Sequence, residues 1–167
     1  MKLISIPVAA AALAFAVAGC GGGSSSSSSS TTAKQPTTSA AKSAASSTTV
    51  DVRKSDLGTM LTDSSGRTLY LFEKDKGTAS TCYGGCATAW PPLTTSGTPK
   101  AGADVKASAL GTTKRKDGSS EVTYHGHPLY YYVGDSGPGM TNGQGLDQFG
   151  AEWYVLAPSG NKIDHGS

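Results

Sequence analysis

The chain has 167 residues, 22 of them glycine, and its 14 Lys and Arg against 12 Asp and Glu leave a formal charge of +2. Lys2, Lys34 and Lys42 precede residue 50, so residues 50–167 carry 11 cations against 12 anions. A near-neutral stretch of that kind offers no basic face to nucleic acid, and its length suits one modest core.

Lys2 followed by the apolar run Leu3 to Val17 has the pattern of an export signal. The run falls short of the ~20 apolar residues of a spanning helix. It ends in Val17-Ala18-Gly19-Cys20, which is similar to the bacterial lipobox, so residues 1–19 are expected to be cleaved and Cys20 to carry a diacylglyceryl group. Each buried methylene contributes about 0.8 kcal/mol, and two or three acyl chains make a lasting membrane anchor where one does not. After Cys20, residues 21–49 are Gly, Ser, Thr, Ala and Lys with one glutamine and one proline, and have no large apolar side chain with which to offset the entropy of ordering. They read as a disordered tether, with a coil span of about 30 Å and a stretched reach of roughly 100 Å.

Residues 50–167 read as a β-rich domain that repeats itself. Gly66-Arg67-Thr68-Leu69-Tyr70-Leu71-Phe72-Glu73-Lys74-Asp75 returns as Gly126-His127-Pro128-Leu129-Tyr130-Tyr131-Tyr132-Val133-Gly134-Asp135. Each copy opens with a short run and a turn, Met60-Leu61-Thr62 before Asp63-Ser64-Ser65-Gly66 and Glu121-Val122-Thr123-Tyr124 before His125-Gly126, and each reaches a tryptophan, Trp90 or Trp153. The units span about 57–95 and 119–160. On a strand Tyr70 and Phe72 share one face and Leu69 and Leu71 the other; Tyr130 and Tyr132 likewise oppose Leu129, Tyr131 and Val133, so both faces should be buried. Asp75 and Asp135 fall where the strand ends, where a carboxylate accepts backbone N–H groups and fixes the turn. A ligand surface lined by the same aromatic and acidic residues is the alternative.

Between the copies, Cys82 and Cys86 enclose Tyr83-Gly84-Gly85. Export favours a disulfide here, and two glycines give the loop the freedom to close it. Two thiolates at this spacing also suit a cuprous ion, with His125, His127, Met60 or Met140 completing the set. The spacing is similar to the Cys-x-x-x-Cys of copper-delivery proteins, although Ala87 stands where those have proline. Tyr83 to Trp90 is the best candidate for a helical turn, stopped by Pro91-Pro92. Lys114-Arg115-Lys116 before Asp117-Gly118 reads as the solvated tip of a hairpin.

In the second copy Gly134-Asp135-Ser136-Gly137 is similar to the nucleophile segment of trypsin-like proteases, but the chain is too small for their two barrels, and Asp135 already belongs to the repeat. The stretch Gly137 to Gly150 has no complete dinucleotide or P-loop fingerprint and reads as a long surface loop, with Asp147 and Glu152 as solvated loop charges.

The paired Tyr-x-aromatic-x-x-Asp motifs, the Cys82/Cys86 segment and Trp90-Pro91-Pro92 resemble the secreted-repeat lipoproteins of bacteria, over residues 57 to about 160. That resemblance implies an envelope location and a two-copy architecture, and supplies no reaction. The expectation is a mostly β domain, a small antiparallel sandwich or barrel of two pseudo-repeated hairpin units with at most one short helix, and with Trp90 and Trp153 in the core. Its expected role is a non-catalytic binding or scaffolding module without a cofactor, meeting the membrane through its lipid and an envelope protein or glycan as partner. A redox or copper-handling protein using Cys82 and Cys86 is the alternative.

Overall fold

The computed structural model describes residues 47–164; the expected export signal, Cys20 and nearly all of the expected tether lie outside them. Strand β1 (Thr49–Ser55) turns through Asp56 and Leu57 into β2 (Gly58–Asp63), pairing Val52 with Leu61, and a parallel contact adds β4 (Lys100–Ala101) to its other side. Strand β3 (Tyr70–Phe72) leads to the helix α1 (Gly85–Ala89). After a single 3-10 turn at Ala107–Ala109, β5 (Leu110–Lys114) pairs with β6 (Ser120–Tyr124), which pairs with β7 (His127–Pro128). Finally β8 (Leu146–Gln148) and β9 (Ala151–Val155) form a hairpin whose second strand also pairs with β3. Among the described residues the protein is mostly β, in three small sheets, none of them closed into a barrel.

The repeat is visible in the backbone. Leu69 N donates to Leu61 O (3.1 Å) in the first copy and Leu129 N to Val122 O (3.0 Å) in the second, so β1-β2 and β5-β6 correspond. The tight turn His125-Gly126 needs positive φ at both residues and has 48° and 85°. At the centre, Tyr70 N donates to Tyr130 O (2.9 Å) and Tyr130 N to Tyr70 O (3.0 Å), which joins the copies antiparallel at equivalent residues.

Each hairpin is then completed by the other copy's tryptophan segment. Strand β9, which carries Trp153, pairs with β3, and Leu61 N donates to Leu156 O at 2.8 Å. Conversely, Val122 N donates to Leu93 O, Leu93 N to Leu129 O and Tyr131 N to Pro91 O, each at 2.8 Å. The second pairing stays irregular because Pro91 and Pro92 have no N–H to give. Residues 130–132 therefore show only bridges at Tyr130, where β3 shows a ladder. The copies are interlocked.

The aliphatic side chains Leu61, Leu69, Leu71, Leu93, Val122, Leu129 and Leu156 form one buried cluster, with Tyr124 and Tyr154, and Tyr70, Phe72, Trp90, Tyr130 and Trp153 lie in another. The alternation read from the sequence holds for Tyr70 and Phe72 against Leu69 and Leu71. It fails at Val133, which is 59% exposed, because the chain turns outward there toward Asp135. Arg115 is a second correction. The hairpin tip forms, with Arg115 N donating to Ser119 O, but Arg115 is only 4% exposed because its guanidinium turns inward to a buried acid. The glycine-rich stretch is a third. It contains β8, and its Gly143 is buried against Trp90 and Tyr70 so closely that an added Cβ would lie 2.6 Å from the indole. Asp147 and Glu152 accordingly face each other across the β8–β9 ladder, as exposed strand residues and not loop charges.

Candidate functional site

The motif residues converge on the line between the copies. Tyr70 Oη donates to Asp135 Oδ2 at 2.7 Å, and Tyr130 Oη donates to Asp75 Oδ2 at 2.6 Å. Each tyrosine thus meets the aspartate of the other copy. The second oxygen of each acid holds its own turn, as Asp75 Oδ1 accepts from Thr81 N (2.7 Å) and Asp135 Oδ1 from Asn142 N (2.9 Å). Burial, reinforced by Asp135, pushes the Tyr70 hydroxyl well above the usual phenol range; burial and the Glu121 charge do the same to Tyr130. Burial also raises Asp135, against the pull of the Tyr70 hydrogen bond. Neutral phenols held as donors to acids suit a fixed joint better than proton transfer near neutral pH.

Beside these bonds, the third motif position and the tryptophans stack into one column. Phe72 lies on Trp153 (4.0 Å, 8°), Trp153 on Trp90 (3.9 Å, 6°) and Trp90 on Tyr132 (4.3 Å, 28°). Tyr70 meets Trp90 edge-on at 5.3 Å and Tyr130 meets Trp153 edge-on at 5.2 Å. Both indoles donate to Gln148, Trp90 to its side-chain oxygen (2.9 Å) and Trp153 to its carbonyl (3.1 Å). Such ring pairs are each worth about 0.5–1.5 kcal/mol beyond their burial.

One polar cluster has no twin. Arg115 Nη1 donates to Glu121 Oε2 (2.6 Å) and Ser80 Oγ (2.8 Å), and Nη2 donates to Cys82 O (2.6 Å), while the guanidinium lies 4.5 Å over the Tyr83 ring. The pair is almost wholly buried, and Glu121 Oε1 has no hydrogen-bond partner. Glu121 precedes Val122 as Met60 precedes Leu61, so the first copy places a buried methionine where the second places an acid. Desolvation pushes Glu121 up to about 7, outweighing the pull of Arg115. A carboxyl raised on folding binds more protons folded than unfolded. Its contribution is therefore fully present below pH ~4.5 and lost as pH rises through 7. Urea titration should show stability falling by roughly 1–3 kcal/mol over that window, and Glu121→Gln should remove this slope.

Cys82 and Cys86 are disulfide-bonded, with Cα atoms 5.2 Å apart; Cys86 lies within α1 and both residues are buried. A closed loop this short removes little unfolded-chain entropy, so Cys82→Ala with Cys86→Ala should cost about 2 kcal/mol in a denaturant titration. A thiol reagent should leave Cys82 and Cys86 unlabelled on the unreduced wild type. His125 and His127 flank the β6–β7 turn, His125 exposed and His127 half-buried. Among the described residues no three His, Cys, Asp or Glu side chains gather as a metal-holding group. Ser136 Oγ lies 3.2 Å from Met140 Sδ, as part of the turn after Asp135.

Sequence reasoning assigned Asp75 and Asp135 to their turns but not to the opposite tyrosines, since spacing within a copy says nothing of contacts between copies. It also missed Arg115 with Glu121; the signal available was the acid at the position of Met60. No curated protein and no solved structure matches the chain. The family model described as a secreted repeat of unknown function matches twice, over residues 51–94 and 111–157. Those limits bracket the two structural halves, each a hairpin opened by β1 or β5 and closed by the tryptophan segment it lends to the other. With both copies interlocked through the motif, the chain belongs to that secreted-repeat family, whose function is unknown.

Proposed function

We propose that this extracytoplasmic protein is held to a membrane by lipid on Cys20 and serves as a non-catalytic binding or scaffolding module. The observation that carries the reading is the crossed Tyr70–Asp135 and Tyr130–Asp75 pairing. The signature side chains are consumed in joining the copies, which supports a scaffold role for the motif and leaves the surface and loops to supply contacts. Cys20 after Val17-Ala18-Gly19 and the polar stretch to residue 49 support a lipidated, tethered domain, and the Cys82–Cys86 disulfide suits an oxidising compartment. A tether of this reach lets the domain meet an envelope protein or glycan within roughly 100 Å of the membrane.

The test is to label native cells with a palmitate analogue and fractionate them, then record the native mass of the envelope-purified chain. Label in the membrane fraction, lost with Cys20→Ser, and added mass from a retained partner are expected. Unlabelled cytosolic protein still bearing residues 1–19 would overturn the anchoring. A bare mass with turnover of an envelope substrate would overturn the scaffold role.

A further inference from the structure

The internal symmetry shows which seat in the domain is filled on one side and open on the other. On the filled side the Tyr131 ring lies beneath the Arg67 guanidinium at 4.0 Å, and its hydroxyl donates to Asp63 Oδ2 at 2.9 Å. A ring, a cation above it and a carboxylate at its end make a complete phenol seat. Sixty residues relate Leu71 to Tyr131 and Arg67 to His127, so on the other side the ring is replaced by an aliphatic side chain and the guanidinium by an imidazole.

A cavity of about 260 Å³ lies there, lined by Leu71, Phe72, Glu73, Asp75, Lys76, Gly77 and His127. Tyr154, paired with Leu71 across the ladder, does not fill it; its hydroxyl donates to Glu152 at 2.9 Å and its ring lies under Lys162 at 4.2 Å. The volume is just below the range of drug-sized clefts, roughly 300–1,000 Å³, and suits a smaller ligand.

We infer that this cavity is a binding site for a single phenolic ring, seated between Leu71 and His127 as the Tyr131 ring is seated beneath Arg67. Leu71, on the strand face opposite the Phe72 ring, supplies the apolar floor and His127 the polar wall. The Glu73 carboxylate, which Lys162 Nζ approaches at 3.5 Å, supplies the hydroxyl's acceptor, in the part that Asp63 plays for Tyr131. The site deepens the binding-module reading and rests on it only for its purpose, since lipidation at Cys20 can fail with the cavity still binding, and the reverse.

The experiment uses the unlipidated chain from residue 20 with Cys20→Ser, labelled with nitrogen-15 and titrated with p-cresol and, separately, N-acetyl-tyrosinamide. Saturable shifts of the Gly77 and His127 amides are expected, with a dissociation constant on the order of 1 mM for so small a ligand. Tighter binding of the tyrosine derivative would mark a partner's tyrosine as the natural source, and tighter binding of p-cresol a free phenol. Leu71→Tyr, which rebuilds the filled side, should stay folded and weaken both ligands at least tenfold. Should that variant not fold, His127→Trp fills the same space from the half-buried wall and must give the same loss. No saturable shift with either probe, or undiminished binding to the filled variant, overturns the proposal.

Discussion

Trp153→Ala is expected to lower the unfolding free energy by about 3–5 kcal/mol, which would leave little of the roughly 5–15 kcal/mol that holds a typical domain. Trp153 has no exposed surface, stacks on both Phe72 and Trp90, and meets Tyr130 edge-on. Its loss therefore opens the column at its middle and strips the ring packing that backs the pairing of β9 with β3, by which the second copy completes the first. Urea unfolding followed by Trp90 fluorescence measures the effect. A loss below about 1 kcal/mol would mean that the column is not the joint between the copies. Phe149→Gly is the contrasting surface change. Phe149 is 44% exposed at φ 60°, so removing its side chain should cost little or stabilise.

The second large effect is Arg115→Met, expected to cost about 3–5 kcal/mol above pH 7, because it leaves the Glu121 carboxylate buried without its cation. The cost should shrink toward pH 5, where Glu121 takes up a proton and no charge remains to strand. Adding Glu121→Met should restore most of the stability at all pH values. The first copy already places Met60 at this point of its own hairpin, and apolar replacement of a whole buried pair is often neutral or favourable. The residual loss, about 1 kcal/mol, is assigned to the Cys82 carbonyl that Arg115 Nη2 no longer satisfies. Denaturant titrations of the single and double variants at pH 5 and pH 8 check both signs. Equal losses at the two pH values would contradict the account of Glu121.

Much of the fold was legible because the repeat writes the same hairpin twice, and turn chemistry such as His125-Gly126 marks where each strand reverses. The faces of Tyr70, Leu71 and Phe72 followed from strand alternation, and α1 from the glycines before it and the prolines after it. What could not be read was anything that depends on the copies meeting. Tyr70 and Asp135 are a pair only because the domain interleaves its halves, and each motif alone presents its own Tyr and Asp five residues apart as if they belonged together. Arg115 misled for a related reason. In sequence it sits between two lysines beside Asp117-Gly118, the composition of a solvated tip, and only the return of β6 places Glu121 beneath it. Val133 shows the limit of the alternation rule, which holds only while the strand continues.

The crossed pairing is tested most directly by two double-mutant cycles in the same urea titration. Tyr70→Phe combined with Asp135→Asn should show a coupling of about 1–3 kcal/mol, since their hydrogen bond is buried and joins a hydroxyl to an acid. Tyr70→Phe combined with Asp75→Asn should couple by less than about 0.5 kcal/mol, although those two residues share one motif. Strong coupling within the motif and none across the copies would contradict the interlocked domain.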